Sequence, residues 1–96
     1  MTEDRAQRQR SRCHIFADIL QAIKVGEPAR ITYLVHEANL PYDRLTNYLN
    51  QLENLGLVVK RELEGASSYT ISEKGRAYLV EFRKIKEFGD IFGVEV

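Results

Sequence analysis

With one cysteine, Cys13, among 96 residues the chain cannot form an internal disulfide, so its fold needs none and suits a reducing compartment. Cytoplasm is the expected location. Long hydrophobic runs are also missing: the richest stretch, Leu55 to Val59, is interrupted by Gly56 and falls far short of the ~20 residues that cross a bilayer. No apolar stretch follows the charged N-terminus, which argues against a membrane protein or a secreted precursor. Net charge is absent too. The 14 basic side chains are balanced by 14 acidic ones, so overall charge lacks the signal that a pI above ~9 would give for a nucleic-acid binder.

Catalytic signatures are equally wanting. No nucleophile elbow, phosphate-cradling glycine loop or paired-histidine motif is present; Gly65 stands alone in a turn, and Glu62 and Glu64 read as surface charges. Cys13, His14 and His36 are too few and wrongly spaced for the recurrent zinc patterns. No enzyme activity, metal or cofactor is therefore expected. A chain of this length reads as one domain, without repeats or low-complexity segments, and that domain must carry the whole function.

What is present is periodicity. Ile15, Phe16, Ile19, Leu20 and Ile23 recur at helical spacing and predict a first helix over Ser11 to Lys24, with Gly26 as a left-handed cap ahead of Pro28. Ala29 to Ile31 reads as a short extended piece, after which Thr32 is expected to cap a second helix through Ala38, with Leu34, Val35 and Ala38 inward. Asn39-Leu40-Pro41 breaks the chain into a turn, and a third helix follows with Leu45, Leu49 and Leu52 on one face, Tyr48 and Leu55 on its flank, and Gly56 at its end. Leu57 to Leu63 and Ser68 to Ile71 read as two strands around a Glu64-Gly65-Ala66-Ser67 turn. Ser72 then caps a final helix with a stripe of Tyr78, Leu79, Phe82 and Ile85, which is expected to end near Phe88, before Gly89 and Gly93.

Two helices joined by a short turn, the second followed at once by a hairpin, make a winged helix-turn-helix: an α+β, mainly α fold with a two-stranded wing and a C-terminal dimerisation helix. The expected division is a flexible basic arm over 1–10, the winged domain over 11–88 and an apolar tail over 89–96. With its leucines inward, the third helix turns Asp43, Asn47 and Asn50 outward, flanked by Arg44, Thr46 and Gln51. A face chosen for solubility alone would favour Glu and Lys, which are better helix formers and pair at four-residue spacing. Amides can bond adenine in pairs and arginine can bond guanine, which gives a reason for their presence in a major groove.

Ala38-Asn39-Leu40-Pro41-Tyr42-Asp43-Arg44-Leu45, Tyr48-Leu49, Leu52, Leu55-Gly56-Leu57-Val58 and Tyr69-Thr70-Ile71-Ser72-Glu73-Lys74-Gly75-Arg76 together resemble the archaeal ArnR-like winged helix-turn-helix domains. That group includes small crenarchaeal DNA-binding proteins that dimerise through a C-terminal antiparallel coiled coil, and the resemblance spans about Ile15 to Phe88. It implies double-stranded DNA and a second copy of the chain as partners. Two departures stand out. The final helix supplies about two heptads, below the three to four of a convincing coiled coil, and Glu62 and Glu64 place phosphate-repelling charge beside Lys60 and Arg61.

The candidate DNA-binding residues are Arg30, Tyr42, Asp43, Arg44, Thr46, Asn47, Asn50, Lys60 and Arg61. Each has a plainer alternative: Arg44 as a solvated arginine, Tyr42 packed over Leu45 or Thr46, Arg30 paired with Glu27 or Glu37, and Lys60 and Arg61 satisfied by the neighbouring glutamates. Tyr48 reads as core flank. Arg5, Arg8, Arg10 and Arg12 form either an arm that follows the duplex or an ordinary basic terminus. Tyr78, Leu79, Phe82, Ile85, Phe88, Ile91 and Phe92 carry more apolar surface than one short helix needs for its own core, which points to a homodimer interface. The tail from Phe88 to Val96 can fold back or cross to a partner; crossing is favoured because Ile91, Phe92, Val94 and Val96 would otherwise be exposed. The other functional class left open is a winged-helix protein-interaction module without DNA binding.

Overall fold

Ser11 opens the first helix by accepting the His14 N–H at 3.0 Å, satisfying one of the amide donors that a helix start leaves free. In the computed structural model, which describes residues 10–96, α1 then runs Arg12–Gly26 with Ile15, Phe16, Ile19, Leu20 and Ile23 buried. Gly26 does not act as the expected left-handed cap. It is the last helical residue, and Tyr33 lies so close that a Cβ there would meet Cε2 at 2.5 Å.

Strand β1 (Ala29–Arg30) leads directly into α2 (Ile31–Ala38). Thr32 is thus not its cap: pairing of β1 with a later strand holds Arg30 extended at φ −89°, ψ 158°, and the chain turns helical at Ile31 without a side-chain cap bond. Asn39 closes α2 in the left-handed region, at φ 55°, and Pro41 precedes α3 (Tyr42–Asn54). The α3 leucines Leu45, Leu49 and Leu52 are fully buried, together with Ile19, Leu20 and Ile23 of α1 and Leu34 of α2. Burying each such side chain stabilises the fold by about 1.5–3 kcal/mol.

Strands β2 (Val58–Leu63) and β3 (Ala66–Ile71) form the hairpin, and the turn is tighter than expected. Only Glu64 and Gly65 connect the strands, both at positive φ (53° and 79°), the two-residue geometry whose twist suits a hairpin. Ala66 and Ser67, expected in the turn, continue the ladder opposite Leu63 and Glu62. The sheet has three strands in the order β1-β3-β2, since Ala29 pairs with Tyr69 and Arg30 with Ser68.

Helix α4 (Glu73–Phe92) starts where Ser72 accepts the Gly75 N–H at 3.0 Å. This start also closes the end of α3. Ser72 Oγ donates to the Gly56 carbonyl at 2.7 Å, the Ser72 N–H to Leu57 O at 3.1 Å, and Lys74 Nζ to Leu55 O at 2.8 Å. Gly75 makes the approach possible, because a Cβ there would stand 2.2 Å from the Leu57 carbonyl oxygen.

The last helix runs past Phe88 and through Gly89, since an interior glycine costs only about 1 kcal/mol; the left-handed cap comes at Gly93, φ 70°. Val94 N–H then bonds Gly89 O at 2.8 Å, and Val96 lies over Gly89, so the tail turns back on its own helix instead of leaving it. The first half of α4 packs on α1. Tyr78 and Leu79 join the chain's own core, and Phe82 stacks on Tyr78 and tilts against His14. Tyr78 donates its hydroxyl to the Cys13 carbonyl at 2.7 Å, with Cys13 Sγ at 3.1 Å.

Burial, and then the contact with Cys13, push the Tyr78 phenol up from its ordinary value, as burial does for Tyr69. The unfolded chain therefore releases these protons first, and the stability tied to them is present below pH ~10 and declines as pH rises beyond it. Tyr78→Phe is expected to cost about 1 kcal/mol at neutral pH and to flatten that alkaline decline, read by urea unfolding across pH. Gly75→Ala, which forces the α3–α4 junction apart, is expected to cost about 1–3 kcal/mol in the same measurement.

Candidate nucleic-acid interface

Because the α3 leucines are sealed inward, the helix presents Asp43, Arg44, Asn47 and Asn50 to solvent. Among the described residues the Arg44, Asn47 and Asn50 side chains make no hydrogen bond or ion pair within the chain. Tyr42, the first residue of α3, is 58% exposed. Asp43 lies in the first turn, where its charge favourably meets the positive end of the helix dipole.

Two members of this face are already engaged. Thr46 Oγ1 donates to the Asp43 carbonyl at 2.9 Å. Gln51 Oε1 accepts from Arg12 Nε at 2.9 Å, while the Arg12 guanidinium lies 5.0 Å from the centroid of the Phe16 ring. The Arg12 contact ties α1 to α3, and helical periodicity carries no signal for a bond between residues so far apart in sequence. Tyr48 sits half-buried edge-on to Phe16, as core flank.

The ribbon separates residues that adjoin in sequence. Side chains alternate across a strand, so Lys60 and Arg61 project from opposite faces. Lys60 falls in one row with Tyr69 and Ala29, on the face whose Val58, Tyr69 and Ile71 are buried in the core. Its Nζ stands 3.9 Å from Glu62 Oε2, and Glu62 also accepts the Ser67 hydroxyl at 3.4 Å. Tyr69 on this face shares the buried core with Leu45, Leu49 and Leu52, which identifies it as the face of the ribbon nearer α3.

Arg61 lies on the other face, in a row with Ser68 and Arg30. Glu27, one alternative partner for Arg30, instead accepts the Ile71 N–H at 3.0 Å and Arg76 Nη2 at 3.2 Å. Among the described residues neither Arg30 nor Arg61 forms an ion pair. Periodicity could locate each arginine, but only strand register could bring them together.

Of the N-terminal arginines, Arg5 and Arg8 lie outside the described residues, and Arg10 pairs with Asp18. His14 Nε2 is 3.9 Å from Asp18 Oδ1, and among the described residues no group of His, Cys, Asp and Glu side chains is placed to hold a metal ion. No described helix is long and apolar enough to cross a membrane. At the far end of α4, Ile85, Phe88, Ile91 and Phe92 are exposed, with the Phe88 and Phe92 rings 4.8 Å apart.

Comparison with known proteins agrees with this architecture. A family model described as winged helix-turn-helix matches residues 9–89. No curated protein matches the sequence. Among solved structures, the chain is similar to Sso10a-2, a DNA-binding protein from Sulfolobus solfataricus, at 30% identity and a TM-score of 0.73, over 88% of this chain and 87% of that one. It is also similar to the transcriptional regulator BldR from the same organism (23% identity, TM-score 0.68, 82% of this chain and 60% of BldR). A MarR family transcription regulator is similar at 17% identity and a TM-score of 0.65, over 79% of this chain and 56% of that protein. These last two likenesses speak to the fold alone. With a family match along most of its length and the helix, turn, helix and ribbon in their expected order, the chain belongs to the winged helix-turn-helix family.

Proposed function

We propose that this protein binds double-stranded DNA as a homodimer, with α3 in the major groove, and acts as a transcriptional regulator or local chromatin protein of the archaeal ArnR-like kind. The observation that carries the reading is the state of α3: its leucines are fully buried while Arg44, Asn47 and Asn50 stand exposed and unengaged. In a groove the two amides suit adenine edges and the guanidinium suits guanine. Tyr42 and Arg30, at the starts of α3 and α2, would meet backbone phosphates in this docking, and Arg61 would add charge from the ribbon. Lys60, held near Glu62, is a weaker member of this set. Similarity to Sso10a-2, a DNA-binding protein, supports the same reading.

The dimer part rests on α4. Ile85, Phe88, Ile91 and Phe92 stand exposed along its far half, beyond the part that packs on α1. Phe88 and Phe92 are 57% and 66% exposed in the single chain, more apolar surface than an isolated helix end keeps in water without cost. Two-fold symmetry would then place two α3 helices about one DNA turn apart, roughly 34 Å. The zero net charge and the ribbon's Glu62 and Glu64 favour the alternative of a protein-interaction module.

Retardation of a random-sequence duplex at low salt separates the two readings, since a DNA binder of either kind shifts it and an interaction module leaves it free. Arg44→Ala and Asn47→Ala are each expected to weaken binding to a preferred site by about 1–3 kcal/mol, measured by fluorescence anisotropy. Sedimentation is expected to show a dimer that the double change Phe88→Glu and Phe92→Glu converts to monomer. A wild-type monomer at high concentration would remove the dimer from the proposal.

A further inference from the structure

We propose that Arg30, Ser68 and Arg61 together form a phosphate-binding site on the outer face of the sheet, with the DNA backbone as its phosphate source. The choice of source rests on the DNA-binding reading above; the site itself does not. Its basis is register. Ser68 of β3 is paired with Arg30 of β1 on one side and Arg61 of β2 on the other. Directly opposed residues share a face with Cβ atoms about 4.5–5.5 Å apart, so the two arginines flank one small side chain. Their long stems let both guanidinium groups reach the space above Ser68.

The charge in this row is one-sided. Its neighbours on the same face, Val59 and Thr70, are uncharged, and Glu62 belongs to the opposite face. Glu27 is committed to Arg76 and the Ile71 N–H. Arg30 and Arg61 lie on the two sides of β3, and among the described residues neither forms an ion pair.

Ser68 supplies the second observation. Among the described residues it is the one buried polar residue, at 8% exposure, as expected if the aliphatic stems of the arginines lie over it. Among the described residues its hydroxyl has no hydrogen-bond partner within the protein, yet its oxygen is not sealed away, since no buried side-chain polar atom is left unsatisfied. A donor at the base and two guanidinium forks at the rim suit a tetrahedral oxyanion, which can accept charge-assisted bonds from both arginines and a third from the hydroxyl.

Duplex DNA is favoured over a free phosphate compound by position. Arg30 immediately precedes α2, the first helix of the helix-turn-helix, and in this mode of docking the first helix crosses the DNA backbone. The ribbon would then grip through its outer face near the body of the domain, and the acidic Glu64 at the turn would not need to approach phosphate.

The test has two readouts on the full chain. In the first, inorganic phosphate is titrated against isotope-labelled protein, and the Arg30 and Arg61 Nε–H and Ser68 amide resonances are followed; saturable shifts at these three are expected. In the second, affinity for a random-sequence duplex is measured against salt. Each of Arg30→Gln and Arg61→Gln is expected to reduce the magnitude of the log–log slope by about 0.9, the loss of one phosphate contact. Ser68→Glu, which keeps both arginines but places a carboxylate between them, is expected to abolish the phosphate shifts and lower the slope at least as far, and it serves if an arginine variant fails to fold.

Saturable shifts in a protein that does not bind duplex would uphold the site, overturn the DNA-binding reading and leave a free phosphate compound as the source. Absence of shifts together with unchanged salt slopes in well-folded variants would overturn the site, leaving the arginines as a cover over Ser68.

Discussion

The sealing of Leu45, Leu49 and Leu52 into the core is the constraint on which the rest of this structure depends. Three leucines at three- and four-residue steps can be buried together only if one side of α3 faces α1 and α2, and the opposite side is then obliged to face water. The amides and the arginine of that outer side are exposed as a consequence of where the leucines go. Their helix propensity does not explain them, because Asn and Thr are poorer helix formers than the residues a purely solvated face would carry.

A buried face sets the rotation of α3, but the position of the ribbon beside it is set by the junction with α4. The N–H groups of Leu55, Gly56 and Leu57 close the last turn of α3, and the carbonyls of the same three residues are each taken up by a group at the start of α4. Gly75 lets the two backbones approach closely enough for these bonds to form. One short segment thus ends a helix, begins another and closes the hairpin between them. The wing is held in place by backbone chemistry as much as by side-chain packing.

A chain with no net charge can still present charged surfaces if the fold sorts its charges by face. Strand alternation does this in the ribbon: Lys60 and Glu62 are left together on the side toward α3, while Arg61 joins Arg30 and Ser68 on the other. Sorting along the last helix is of apolar surface instead. Tyr78, Leu79 and Phe82 are used against α1, whereas Phe88 and Phe92 extend past it and stay exposed. The helix therefore has an inner half packed on α1 and an outer half whose apolar side chains face solvent.

Short-range pattern determined the order of elements, the buried faces of α1 and α3, the Ser72 cap and the break at Asn39-Leu40-Pro41, because each depends on residues within a few positions of one another. Where local signals competed with longer-range contacts, the longer-range contacts prevailed. Thr32 lost the cap of α2 to strand pairing at Arg30, Gly26 ended up inside the helix beside the Tyr33 ring instead of in a left-handed turn, and α4 passed through Gly89 to end at Gly93. Only tertiary structure could decide that Arg12 occupies Gln51, that Arg76 occupies Glu27, and that Arg30 and Arg61 are both paired with Ser68. Those contacts join residues far apart in sequence, and periodicity records which face a residue occupies without recording what stands opposite it.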